Sequence, residues 1–149
     1  MEVATSGVMV LPYRASSVGI ARRRLIADLG EAGVADTTAC DAGLVLSELI
    51  SNALRHASPL PSGTLEISWA LHSDSVEVAV SDGGGGGMPR VNEPGNSSVG
   101  GRGLSIVDRL SLRWGVCGGR DQAEKKVWAE VPVLYGSAPE LVTVSSRDA

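Results

Sequence analysis

The chain has 149 residues, of which 43% are hydrophobic and 20% charged, and its formal net charge is −4. That length sets one domain as the default and suffices to bury a core without disulfide or metal staples. The acidic balance argues against a general nucleic-acid binder, which would carry a basic patch.

Aromatic residues make up only 3%, with no phenylalanine, so the core must come from Val, Leu, Ile and Ala. No apolar run approaches the roughly 18 residues of a membrane span, and no basic segment precedes an apolar run at the N-terminus. A soluble, cytoplasmic protein is expected. Cys40 and Cys117 stand in no metal-binding spacing, and both are expected as small, reduced core residues.

In chain order, residues 1–7 read as a loose end and Val8 to Pro12 as a short edge strand stopped by its proline. Ser16 or Ser17 can cap a helix running to about Leu29, with Val18, Ala21, Leu25, Ile26 and Leu29 as its apolar stripe. Gly30 or Gly33 can stop it, and Arg22, Arg23 and Arg24 form its outer face. A second helix, capped within Asp36 to Thr38, ends near Ala57, because Pro59 and Pro61 forbid continuation.

Thr64 to Leu71 and Ser75 to Ser81 read as strands of a hairpin turning through His72, Ser73 and Asp74. In the second, Val76, Val78 and Val80 alternate with Ser75, Glu77 and Ala79, the period of a half-buried strand. Asp82 is followed by five glycines, Gly83 to Gly87, and a polar segment to Gly101 that reads as a mobile loop. Order returns at Gly103 with a helix to Leu110. Leu112 to Cys117 and Lys126 to Val133 read as strands joined by a turn through Gly118, Gly119 and Asp121, and residues 134–149 as a flexible tail. This order implies an α+β fold in one domain over residues 8–133. It is a two-layer α/β sandwich, with helices on one face of a mixed, mostly antiparallel sheet.

The second helix carries the candidate chemistry. Over Asp41 to Ala57, Ala42, Leu46, Leu49, Ile50, Ala53, Leu54 and Ala57 share one side. Ser47, Glu48, Ser51, Asn52, Arg55 and His56 share the other, with Glu48, Asn52 and His56 stacked at i, i+4 and i+8. A solvated face is the ordinary reading of such a row. Yet Ser47, Ser51 and Asn52 cost helix propensity, so something other than helix stability selects them. A carboxylate with an amide one turn away suits Mg²⁺ and a nearby nucleophile.

The glycine run alone is no more than a flexible linker. Its place after Asp82 adds meaning: a carboxylate at a strand end can accept a hydrogen bond from the exocyclic amine of adenine, and glycines let main chain approach the flat base. Gly100, Gly101 and Gly103 sit at a loop-to-helix junction, where free amides attract phosphate oxygens. Arg102 either adds charge there or is an exposed loop residue.

ELISN, DGGGG and GRGL resemble the N, G1 and G2 boxes of the Bergerat-fold (GHKL) ATP-binding domain. LVLSELISNALRHA, GRGLSIVDRLSLRWGV and KVWAEVP are similar to its small bacterial branch, the anti-sigma-factor serine/threonine kinases. The resemblance covers roughly Val8 to Pro132. It implies Glu48 as general base, acting on a partner's serine or on water, and Asn52 as the Mg²⁺ ligand. It implies Asp82 as the adenine reader, with Gly84 and Gly86 shaping the base pocket. Gly101, Gly103 and Leu104 would form the hinge of an ATP lid spanning about residues 83–101 and the phosphate-contacting turn. His56 and Arg55 end that helix, His56 in a structural role. The implied cofactors are ATP and Mg²⁺. The implied partners are a sigma factor and an antagonist protein phosphorylated on Ser, with a homodimer common, and a non-catalytic ATP-responsive binding module is the alternative. The run Gly83 to Gly87 departs from the family in carrying no side chain, so ordering the lid costs about 1–2 kcal/mol per residue fixed. A two-component histidine kinase is disfavoured, since His56 and His72 are the only histidines and no phosphoacceptor helix precedes the domain. A gyrase-type ATPase would need a second domain.

Overall fold

The computed structural model describes residues 5–85, 99–118 and 124–135, and for 99–103 the backbone alone. Five strands form one sheet: β1 (Thr5–Pro12), β2 (Thr64–Leu71), β3 (Ser75–Asp82), β4 (Arg113–Gly118) and β5 (Lys125–Pro132). Their spatial order is β1-β2-β3-β5-β4, and every pairing is antiparallel, so the expected mixture of directions reduces to one. Among the described residues three helices, α1 (Ser16–Glu31), α2 (Asp36–His56) and α3 (Val99–Leu110), complete the α+β fold. α2 packs over β3 and β5 with α3 beside it, and α1 lies against α2, β1 and β2.

The strand period explains the layering. Leu65, Ile67, Trp69 and Leu71 on β2 form the buried row facing the helices. Val76, Val78 and Val80 on β3 and Val127, Ala129 and Val131 on β5 continue it. The helix side answers with Leu25, Leu29, Val45, Leu46, Leu49 and Ile50, each at most 2% exposed. Burying side chains of this size contributes about 1.5–3 kcal/mol apiece. At one end the helix-facing row turns polar: Asp82 follows Val80 on β3, and Lys125 precedes Val127 on β5.

Several expectations change. β1 begins at Thr5, so Thr5 to Gly7 belong to the sheet, paired with Leu71 to Trp69 of β2. Neither Ser16 nor Ser17 caps α1; the buried Ser17 hydroxyl donates instead to the Pro12 carbonyl at 2.6 Å. α2 has no side-chain cap either, and Thr38 Oγ1 accepts from the Leu134 amide at 3.2 Å. That contact, with the Val34–Tyr135 bridge, ties residues 134 and 135 to the α1–α2 connection; residues 136–149 lie outside the described part. β3 is buried on both faces rather than half-buried, because it is the central strand and Ala79 and Ser81 are covered along with its valines. α3 starts at Val99, ahead of the expected Gly103.

Cys40 and Cys117 are exposed, not core residues. Cys40 lies on the outer side of α2, whose inner side is taken there by Ala39, Ala42 and Gly43, and Cys117 lies on the edge strand β4. Among the described residues, no helix is long and apolar enough to cross a membrane.

Candidate functional site

The polar end of the helix-facing row holds two of the sequence-predicted residues, Asp82 and Gly84. Asp82 is 1% exposed. Its Oδ1 accepts from the Gly84 amide at 2.7 Å. Its Oδ2 is buried and has no hydrogen-bond partner among the described residues. An acceptor left so inside a fold loses the hydration it has in water, and native structures contain few of them. Burial pushes the Asp82 carboxyl above its ordinary range; the Gly84 amide and the Lys125 ammonium oppose that, and Glu124 adds to it.

The glycines beside Asp82 answer a close approach of backbone. A side chain at Gly83 would place its Cβ 2.1 Å from the Pro59 carbonyl oxygen. The Gly83 amide donates to the Ser58 carbonyl at 2.7 Å, and the Ser58 amide donates to the Gly84 carbonyl at 2.8 Å. Gly84 and Gly85 follow at φ 84° and 82°, a region that side chains rarely adopt. Gly86 lies outside the described residues, as does most of the expected lid.

On α2, Asn52 and Ser47 are buried, each 6% exposed, which removes them from any solvated face. Ser47 donates to the Gly43 carbonyl one turn back at 2.9 Å. Glu48 and Ser51 are half-buried, whereas Arg55 and His56 are exposed. The polar row is therefore split: its first part faces protein and its end faces solvent. On α3, Leu104 is 2% exposed and anchors the helix beside α2. Gly101 and Arg102 fall within the first turn of α3 and Gly103 just after it, rather than ahead of a helix beginning at Gly103.

Asp82, Gly84, Gly85 and Lys125 are thus gathered at one end of β3 and β5, under the helix that bears Glu48 and Asn52. Two participants were not evident from sequence. Lys125 is 3% exposed and pairs in register with Asp82; only the β3–β5 register reveals it. The Tyr13 hydroxyl reaches the carbonyls of Ala53 (3.4 Å), Leu54 (3.1 Å) and Ala57 at the carboxyl end of α2, where helix carbonyls run out of intrahelical partners. A tyrosine just after the first strand was the only signal for that contact.

A family model described as the histidine kinase-like ATPase domain matches residues 11–129. The chain belongs to that family. The match takes in the whole of α1, α2, α3, β2, β3 and β4, the last two residues of β1 and Lys125 to Ala129 of β5.

The fold of this chain is also found in a solved structure. The RsbU and RsbW domains of Rv1364c from Mycobacterium tuberculosis superpose with a TM-score of 0.66 at 16% identity, over 87% of this chain. This chain spans 33% of the length of that one. The histidine kinase domain of a blue-light activated histidine kinase from Erythrobacter litoralis EL346 aligns with a TM-score of 0.47 at 22% identity, covering 82% of this chain and 61% of that one. A search of curated proteins finds no match.

The residues present suit the nucleotide that this family's description implies. A buried carboxylate oxygen with no hydrogen-bond partner among the described residues fits an amine donor.

Proposed function

We propose that this chain is an ATP-binding regulatory protein of the anti-sigma-factor kinase type, which binds Mg-ATP and phosphorylates a serine of a partner antagonist protein. The observation that carries the reading is the buried Asp82 Oδ2, which has no hydrogen-bond partner among the described residues at the glycine-lined end of the sheet. The exocyclic amine of adenine supplies the missing donor. Gly84 and Gly86 would flank the base, and Gly101, Arg102, Gly103 and Leu104 would lie along the phosphates, the first helical amides of α3 serving as donors.

Asn52 would hold Mg²⁺ through its side-chain oxygen; its neutral amide on a buried helix face suits a cation that takes most of its ligands from phosphates and water. Bound there, Mg²⁺ would neutralise charge on the triphosphate. Glu48, one turn before Asn52 and half-buried, would take the proton from an attacking serine hydroxyl. The partners on this reading are a sigma factor and its antagonist, met in the cytoplasm to regulate transcription, with a second copy of the chain forming a dimer.

The bare glycine run supports a second reading, a non-catalytic module that reports nucleotide occupancy to a partner. Labelled ATP, Mg²⁺ and candidate antagonist proteins separate the two. Serine-linked label that disappears in Glu48→Ala, with nucleotide affinity kept within about threefold, supports the kinase. Saturable binding without transfer to any partner supports the module.

A further inference from the structure

We infer that Lys125 is a positioning residue of the base pocket: its ammonium keeps the Asp82 carboxylate an anionic acceptor and ties the root of the glycine run beside it. What the pocket takes up rests on the nucleotide reading above; the charge pair does not, and it is testable without ligand.

The two residues are direct cross-strand partners on β3 and β5, both on the helix-facing side. Side chains so placed stand about 5 Å apart at their β-carbons. A lysine at a strand end ordinarily stretches its head into water. Lys125 does not, being 3% exposed, and its Nζ donates toward the Gly85 carbonyl at 3.5 Å. Lysine is almost never buried so deeply unless its charge is used. Here the carboxylate partner is itself 1% exposed, so neither charge is screened by solvent.

The other groups around Asp82 cannot replace it. Glu124, next to Lys125, acts in the opposite sense. α2, which covers both strands, carries the half-buried Glu48 and the neutral Asn52. On β2, Glu66 pairs with Ser81 and so lies on the opposite face of the sheet. The Gly84 amide already binds Oδ1. Without an ammonium beside it, a carboxyl this buried keeps its proton to higher pH and stops being the strong acceptor that an amine donor needs.

The test compares Lys125→Met, close in length and uncharged, with Lys125→Arg. In the ligand-free full chain, carbon NMR follows the titration of the Asp82 carboxyl. Its midpoint rises by about one pH unit or more in Lys125→Met and stays near wild type in Lys125→Arg. Mg-ATP affinity is then measured from pH 8 down to pH 5. The Kd ratio of Lys125→Met to wild type grows severalfold as pH falls, and Lys125→Arg removes most of that growth. An unmoved midpoint with parallel pH profiles overturns the inference. Should Lys125→Met be too unstable at neutral pH, its melting temperature decides. A deficit that shrinks in acid, as Asp82 gains its proton, supports the pair; a deficit independent of pH overturns it and leaves Lys125 as packing. Wild type that takes up no ATP, while the Asp82 midpoint still follows Lys125, sinks the nucleotide reading and leaves the charge pair standing.

Discussion

Replacing Asp82 with asparagine separates what the carboxylate does for binding from what it does to the fold. Asparagine keeps the oxygen that accepts from the Gly84 amide and turns Oδ2, which has no partner among the described residues, into an NH₂ donor. Facing the adenine amine, that donor meets another donor. A hydrogen bond to a charged group contributes about 1.5–3 kcal/mol, so the Kd for ATP should rise roughly 10- to 100-fold. GTP, which presents a carbonyl at the same place, should gain or hold affinity, and the preference for ATP should narrow or reverse.

Stability should move the other way. The folded pKa of Asp82 lies above its unfolded value of 3.8, chiefly through burial. A raised carboxylate pKa means that the ionised form is disfavoured in the fold. That penalty is absent below the unfolded pKa, grows as pH rises toward the folded pKa, and is complete above it. Asp82→Asn, neutral throughout, should therefore be at least as stable as wild type at pH 7, with its advantage vanishing near pH 3.5. Calorimetry with Mg-ATP and Mg-GTP, and thermal melts across that pH range, read both effects. A variant with unchanged nucleotide preference, or one markedly less stable than wild type at neutral pH, refutes the reasoning.

Asn52→Ala should raise the Kd for ATP about tenfold or more when Mg²⁺ is present and change it little in chelator, as titrations in the two buffers will show. Gly83→Ala forces a Cβ against the Pro59 carbonyl at 2.1 Å. It should cost about 1–3 kcal/mol, lowering Tm by roughly 3 °C or more in a melt. Tyr13→Phe removes the hydroxyl that satisfies the α2 carbonyl end and should cost about 0.5–1.5 kcal/mol by denaturant titration, with the slope unchanged.

Features set by short-range pattern were legible in the sequence. The bounds of β2 follow from alternation between Gly63 and the hairpin turn, and α2 ends where Pro59 and Pro61 allow. Asp82 was legible as the residue after a valine-rich strand. Features set by distant partners were not. Ser6 and Gly7 have little strand preference, yet β1 includes them: the Trp69 ring lies over Gly7, where a Cβ would come within 2.3 Å of it. Glycines at 100, 101 and 103 argue against helix, and α3 nonetheless begins at Val99. Cys40 and Cys117 show the limit of reading burial from residue type, since the neighbours on each element decide which side turns inward. Lys125 belongs to the site only because β5 aligns it with Asp82, a register that no local pattern encodes.

Ser58 has both of its main-chain groups engaged with the glycine run, its amide with Gly84 and its carbonyl with Gly83. Two residues earlier α2 ends, its last carbonyls held by Tyr13. The carboxyl end of the central helix and the root of the glycine run are consequently linked through Ser58 by two main-chain hydrogen bonds. On the nucleotide reading proposed above, a ligand that displaces the glycine run would pull on the end of α2 through these two bonds.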